Sequence, residues 1–90
     1  MIKRSRLEII KDFLFIIREN KNSIKMTPLL RKTNLSSQRF SQYFQELKEK
    51  EFIEEKKDKK GKKHISLTEK GERYLEKYKN IIGFIDEFEL

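Results

Sequence analysis

A mainly α-helical fold with one small β-hairpin, an α+β arrangement, is predicted by three features of this 90-residue chain. The stretch from Ser36 to Lys50 is amphipathic at helical spacing and opens on a serine suited to cap a helix. The lysine-rich run from Phe52 to Leu67 has two strand-length segments, residues 52–57 and 62–67, around a turn over residues 58–61. Thr68, followed by an acidic residue, is typical of another helix start. Ninety residues suffice for one domain with one small core.

The first helix is predicted to begin at Ser5, because Ser5 and Glu8 have the spacing of a capping box, in which two side chains satisfy free backbone N–H groups. Its apolar residues cover a broad face, as expected of a central core helix: Leu7, Ile9, Ile10, Phe13, Leu14, Ile16 and Ile17. Polar residues 19–22 should end it. Thr27 is predicted to cap a short second helix over residues 28–33, with Pro28 in its first position.

Residues 34–36 form a predicted tight turn into the third helix, with Leu35 directed at the core. Two short helices joined in this way make a helix-turn-helix. At about 100° per residue, the third helix should bury one apolar face, comprising Phe40, Tyr43, Phe44 and Leu47. The opposite face is polar, with Gln38, Ser41, Gln42, Gln45 and Glu49.

The last helix is predicted to run from its cap at Thr68 toward Phe88. Its large apolar residues recur at spacings of 4, 3, 4 and 3, which is typical of a coiled-coil seam: Tyr74, Tyr78, Ile81, Ile85 and Phe88. We interpret the seam as a dimerisation surface; the alternative is that this helix folds back across the first helix of a monomer. Gly83, inside the pattern, indicates either a close helix crossing or the end of the helix.

The charge of the chain favours a polyanionic partner, either nucleic acid or an anionic membrane surface. Lys and Arg number 22 against 15 Asp and Glu, which gives a net charge of +7. Residues 1–68 hold 18 of the basic and 9 of the acidic side chains, so the basic field belongs to that part. With no Cys and one His, neither a disulfide framework nor an ordinary zinc site is expected, and no cofactor is implied. Because long apolar runs are missing, we expect a cytoplasmic protein without a membrane partner.

A helix-turn-helix followed by a basic hairpin is the order found in winged helix-turn-helix domains that bind duplex DNA. We therefore assign residues 1–68 to such a domain and residues 69–90 to a C-terminal dimerisation helix. The candidate base or phosphate contacts on the third helix are Ser37, Gln38, Arg39, Ser41, Gln42 and Gln45. Those on the hairpin, or wing, are Lys56, Lys57, Lys59, Lys60, Lys62 and Lys63. A second basic cluster is formed by Lys3, Arg4 and Arg6.

Simpler interpretations exist for each of these features. Gln and Ser are ordinary on any solvated helix face, and a lysine-rich loop can serve solubility alone. The N-terminal basic cluster can equally be a frayed terminus. The order of the elements, rather than any single residue, favours the DNA-binding interpretation.

Four segments also carry a family resemblance: residues 3–10, residues 25–36 ending in Asn34-Leu35-Ser36, Tyr43 with Leu47, and Leu67-Thr68-Glu69-Lys70-Gly71 with Tyr74-Leu75. Together they resemble the small archaeal winged-helix regulators, a family that includes ArnR-like domains and the Sulfolobus ten-a nucleoid proteins. The resemblance implies a homodimer, joined through its C-terminal helices as an antiparallel coiled coil, that binds DNA by the third helix and the wing. The family usually has Gly at the position of Glu51, which suits a left-handed helix end.

The sequence thus predicts a homodimeric transcriptional regulator that binds double-stranded DNA and is not an enzyme. One alternative is an architectural nucleoid protein with little sequence specificity. Another is a winged helix that binds a protein partner. The target sequence and any small-molecule effector stay open.

Overall fold

Four helices and one antiparallel hairpin follow one another within residues 5–90 in the predicted order. The structure, a computed structural model, describes residues 5–90, so the predicted roles of Lys3 and Arg4 lie outside the described residues. The elements are α1 (Arg6–Glu19), α2 (Met26–Thr33), α3 (Ser37–Glu49), β1 (Ile53–Lys57), β2 (Lys63–Leu67) and α4 (Glu69–Glu87). This mainly helical architecture with a wing confirms the predicted fold class.

Three of the helices begin at the predicted side-chain caps. Ser5 Oγ accepts a hydrogen bond from Glu8 N at 3.2 Å, and Ser36 Oγ accepts one from Arg39 N at the same distance. Thr68 Oγ1 accepts one from Gly71 N, also at 3.2 Å. Each cap satisfies a backbone donor that has no partner within its helix.

The predicted start of α2 is wrong by two residues. The helix begins at Met26 after an N-cap at Lys25, Thr27 does not cap it, and Pro28 takes the third helical position. Pro is tolerated there because N–H groups in the first turn have no intrahelical partner. The earlier start has a tertiary cause. Ile24 forms a β-bridge with Ile65, with N–O distances of 3.1 and 2.7 Å, so the chain is extended up to Ile24 and turns helical directly after it.

The core lies between α1, α2, α3 and the inner side of the hairpin. Phe13 on α1 stacks on Phe40 of α3 with ring centroids 5.1 Å apart, and Phe40 stacks on Phe44 at 5.9 Å. The largest fully buried side chains are Phe13, Leu14, Ile17, Leu29, Leu47 and Ile65. Leu7, predicted as part of the core face, is 53% exposed, because it lies two turns before Leu14 and beyond the end of the core.

The first half of α4 packs tightly on the domain and the second half does not. At Gly71, a Cβ atom would clash with the backbone carbonyl of Phe52, so only glycine permits this approach. Leu75 is buried, whereas Ile81, Phe84 and Phe88 are each more than half exposed.

Among residues 5–90, neither predicted role of Gly83 is observed. The helix continues through Gly83 to Glu87, and a Cβ at Gly83 would meet nothing within 4 Å in the described structure. Within residues 5–90, the second half of α4 therefore continues past Gly83 and is not crossed there by another helix.

Glu51 has the left-handed backbone, with φ of 63°, that its position at the exit of α3 requires. The carbonyl of Glu51 accepts a hydrogen bond from Thr68 Oγ1, and that of Lys50 accepts one from Lys70 Nζ at 2.7 Å. These contacts offset the cost of a side chain in the left-handed region. The start of α4 thus supports the end of α3.

Candidate nucleic-acid interface

The turn between α2 and α3 sets the orientation of the polar face of α3. Asn34 ends α2 in the left-handed conformation, with φ of 58°, and Leu35 packs against the core before Ser36 caps α3. Because Phe40, Phe44 and Leu47 are buried in the core, the opposite side of α3 faces solvent. All six predicted contacts on this helix are exposed: Ser37, Gln38, Arg39, Ser41, Gln42 and Gln45.

This face offers hydrogen-bonding groups with little charge. Gln45 Nε2 donates to Glu49 Oε1 at 3.1 Å. Within residues 5–90, the side chains of Gln38, Arg39 and Gln42 form no hydrogen bond or ion pair. An amide can both donate and accept, which is the capacity needed to read the edge of a base pair.

A polar hollow of about 310 Å³ lies beside this face, where α3 meets the start of α1. It is lined by Arg6, Arg39, Gln42, Tyr43 and Glu46. Arg6 forms an ion pair with Glu46, and its guanidinium carbon lies 5.9 Å from the centre of the Tyr43 ring. The sequence placed Arg6 in a basic cluster but did not pair it with Glu46, because forty positions separate them.

The wing is an antiparallel ladder from the Ile53 and Leu67 pair to the Lys57 and Lys63 pair. Asp58 organises its turn: Oδ1 accepts hydrogen bonds from the backbone N–H of Lys60 and of Lys62, each at 2.9 Å. Asp58 Oδ2 lies 3.1 Å from His64 Nε2. The bonds from Lys62 N–H and from His64 lower the pKa of Asp58 below its ordinary value of 3.8. Asp58 thus shapes the wing as well as opposing its positive charge.

The six predicted wing lysines are all exposed: Lys56, Lys57, Lys59, Lys60, Lys62 and Lys63. Lys56 pairs with Glu54 at 3.3 Å and Lys63 with Glu55 at 3.8 Å. The other four form no ion pair with the part of the chain that the structure describes. A cluster of uncompensated ammonium groups on one turn is an anion-attracting surface.

Long-range contacts hold the wing in place relative to the helices. Lys48 Nζ on α3 lies 3.3 Å from Glu55 Oε1 on β1. His64 Nδ1 lies 3.3 Å from Ser23 Oγ in the loop after α1. His64, on β2, thus contacts both Asp58 in the wing turn and Ser23, which is 41 positions away, and no local sequence pattern predicts the second contact.

The five predicted seam residues of α4 divide into two groups. The Tyr74 hydroxyl donates to the carbonyl of Leu7 at 2.9 Å, and its ring packs edge-on against Phe52 at 5.5 Å. Burial raises the pKa of this hydroxyl, and the neighbouring Tyr78 adds to the effect. Beyond these two half-buried tyrosines, Ile81 and Phe88 are exposed and Ile85 is partly exposed.

Residues 5–90 contain neither a cluster of metal ligands nor a membrane-spanning helix. No group of three His, Asp or Glu side chains that could hold a metal ion occurs among residues 5–90. None of the helices described is long and apolar enough to cross a membrane.

Comparison with known proteins agrees with this geometry. A family model described as winged helix-turn-helix matches residues 3–85. No curated protein sequence matches the chain. Among solved structures, Sso10a-2, a DNA-binding protein from Sulfolobus solfataricus, is similar with a TM-score of 0.73 at 19% identity, covering 94% of this chain and 85% of that one. SSV1 F-93 is similar with a TM-score of 0.65 at 21% identity, covering 96% and 99%. The chain belongs to the winged helix-turn-helix family.

Proposed function

We propose that this protein is a transcriptional regulator that binds duplex DNA as a homodimer, with α3 in the major groove and the wing against the backbone or in the minor groove. The polar face of α3 carries the proposal, because six exposed polar side chains lie opposite a buried apolar face. The exposed lysines of the wing support it, and the structural neighbour Sso10a-2 is described as a DNA-binding protein.

Sequence readout is assigned to α3. A glutamine such as Gln42 can form two hydrogen bonds with adenine, and Arg39 can bind guanine or a flanking phosphate. The wing lysines bind phosphates without regard to sequence, so they supply salt-dependent affinity.

Dimerisation is assigned to α4. Its second half exposes Ile81, Ile82, Phe84 and Phe88, and the rest of the chain does not cover this apolar surface. Such a surface is typical of a site that binds another protein chain. A two-fold dimer would also present two α3 helices to two half-sites on DNA.

The wing favours one competing function, that of an architectural nucleoid protein. Four lysines without ion pairs on the described chain could bind any sequence alike. In that case α3 would contribute phosphate contacts and little discrimination among bases.

The first test is the affinity for a labelled random-sequence duplex as a function of salt, measured by fluorescence anisotropy. A dimer that contacts several phosphates should show a log–log slope of roughly −4 to −8. Negligible binding at low salt would contradict both DNA-binding functions and point to a protein partner.

Two variants then separate the regulator from the architectural protein. Replacing Lys59, Lys60 and Lys62 by Ala should weaken binding to all sequences alike and flatten the salt slope by roughly 1 per lost phosphate contact. The control is a triple Ala variant of exposed residues outside the proposed DNA contacts: Lys21, Arg73 and Lys77.

Gln42→Ala should reduce the preference for a selected site over random DNA. An equal loss on both DNAs would favour the architectural role.

A further inference from the structure

Two hollows flank the polar face of α3, and their chemistry differs. The hollow on the side of α1 is lined by charged groups, among them Arg6, Arg39 and Glu46. The hollow on the side of α2 has a volume of about 320 Å³, and no charged side chain of residues 5–90 lines it. Its lining combines four apolar residues, Met26, Leu30, Phe40 and Phe44, with three uncharged polar ones, Ser37, Ser41 and Gln45.

Met26 gives this second hollow an exposed apolar rim. Its side chain is 41% exposed, and Leu30, four positions later, lies on the same side of α2 and is half-buried. Because Ile24 pairs with Ile65, α2 starts at Met26, which therefore belongs to the first turn of the helix. The fold thus holds a large apolar side chain at the solvent edge, directly beside α3.

The polar residues of the hollow form a stripe along the edge of α3. Ser37, Ser41 and Gln45 are four positions apart, so they follow one another on one side of the helix, and all three are exposed. Within residues 5–90, the hydroxyl groups of Ser37 and Ser41 form no hydrogen bond. The three residues also belong to the predicted DNA contacts, so a duplex that lies against the polar face of α3 reaches the hollow.

The lining of the hollow fits one part of a DNA duplex better than the others. A phosphate is bound by charged groups, which this hollow lacks among the described residues. In the major groove, the apolar group that the bases present is the C5 methyl of thymine, and the O4 acceptor of the same base lies next to it. Apolar side chains beside hydroxyl donors match that pair of groups. Cytosine presents an amino donor and no methyl group.

We propose that the hollow between α2 and α3 binds the C5 methyl group of a thymine in the major groove, with Met26 against the methyl and the serine hydroxyls of α3 donating to O4. This inference rests on the proposed binding of duplex DNA by α3. It adds a specificity-determining residue, Met26, that lies outside α3 and the wing, and it names the base that the residue selects.

Replacement of thymine by deoxyuridine tests the contact without changing the protein. Duplexes that the protein enriches from a random-sequence library are resynthesised with one thymine at a time replaced by deoxyuridine, which keeps the base pair and removes only the methyl group. At one thymine or more, the replacement should weaken binding about threefold to fivefold, measured by fluorescence anisotropy, because the buried methyl group is lost.

A variant then assigns the effect to Met26. Met26→Gln has a side chain of similar length with a polar end, so it should bind the thymine duplex more weakly and no longer distinguish it from the deoxyuridine duplex. The matched control is Phe15→Gln on α1, because Phe15 is also 41% exposed and lines a groove with α4 instead of α3. This control should keep the full difference between thymine and deoxyuridine. Circular dichroism of both variants checks that their helices form.

The other outcomes separate this inference from the proposed function. Enriched duplexes in which no deoxyuridine weakens binding, or an effect that Met26→Gln retains in full, would overturn the thymine contact and leave DNA binding by α3 standing. Salt-dependent binding without any enriched sequence would overturn both the thymine contact and the regulator, and would favour the architectural protein. Negligible binding to any duplex at low salt would overturn DNA binding itself.

Discussion

Gly71 and Gly83 lie on the same helix in opposite surroundings. A Cβ at Gly71 would meet the Phe52 carbonyl below contact distance, while one at Gly83 would meet nothing within 4 Å in the described chain. We expect Gly71→Ala to lower the free energy of unfolding by about 1–3 kcal/mol, because the steric clash outweighs the better helix propensity of Ala.

Gly83→Ala is the matched control, and it should raise the free energy of unfolding by about 0.5–1 kcal/mol through propensity alone. Urea unfolding at one protein concentration measures both. Equal stabilisation by the two substitutions would show that α4 does not approach Phe52 as closely as described.

Glu46 neutralises Arg6 at the edge of the proposed DNA surface. Because Glu46 also lies 3.8 Å from Lys50 Nζ, its carboxylate offsets positive charge from two side chains. Glu46→Gln should therefore tighten binding to random-sequence duplex by about threefold at low salt and by less at high salt, measured by anisotropy. Glu19→Gln, an equal change of charge at the end of α1, should have no comparable effect. A similar gain in both variants would mean that only net charge matters.

At the scale of elements, the shape of the wing depends on one ionised carboxylate. The pKa of Asp58 is lower in the folded chain than its ordinary value of 3.8. Its stabilising effect is therefore fully present above that value and is lost as the pH falls through the folded-state pKa. Asp58→Asn should lower the melting temperature at neutral pH, and the difference from the wild type should shrink below about pH 3.8. A difference that is constant down to pH 2 would exclude this role of the carboxylate.

The α2 helix shows how an element boundary can depend on a distant partner. Its sequence has a good local signal at Thr27 and Pro28, yet the helix starts earlier because Ile24 pairs with Ile65 on the wing. The strands and the other three helices start within a residue of their predicted positions, since their caps and turns act over three or four residues.

At the scale of the whole molecule, thermal stability provides a test of the proposed homodimer. If two copies associate through the second half of α4, the melting temperature should rise by about 3–5 °C for each tenfold increase in protein concentration, because association favours the folded chain. Phe84→Asp combined with Phe88→Asp should remove this dependence without abolishing folding, because both rings lie outside the buried core. A wild-type melting temperature independent of concentration would contradict the homodimer.

The sequence by itself determined the order of the elements, three of the four helix caps and the polar face of α3, because these follow from short-range hydrogen bonding and helical periodicity. It also indicated the wing lysines, because charged side chains on a hairpin turn are exposed to solvent however the rest of the chain packs. Only the tertiary structure decided which residues distant in sequence contact each other: Arg6 with Glu46, His64 with Ser23, and Gly71 with the backbone of Phe52. Such pairs depend on how the helices pack around one core, and that packing brings together residues that are 19 to 41 positions apart.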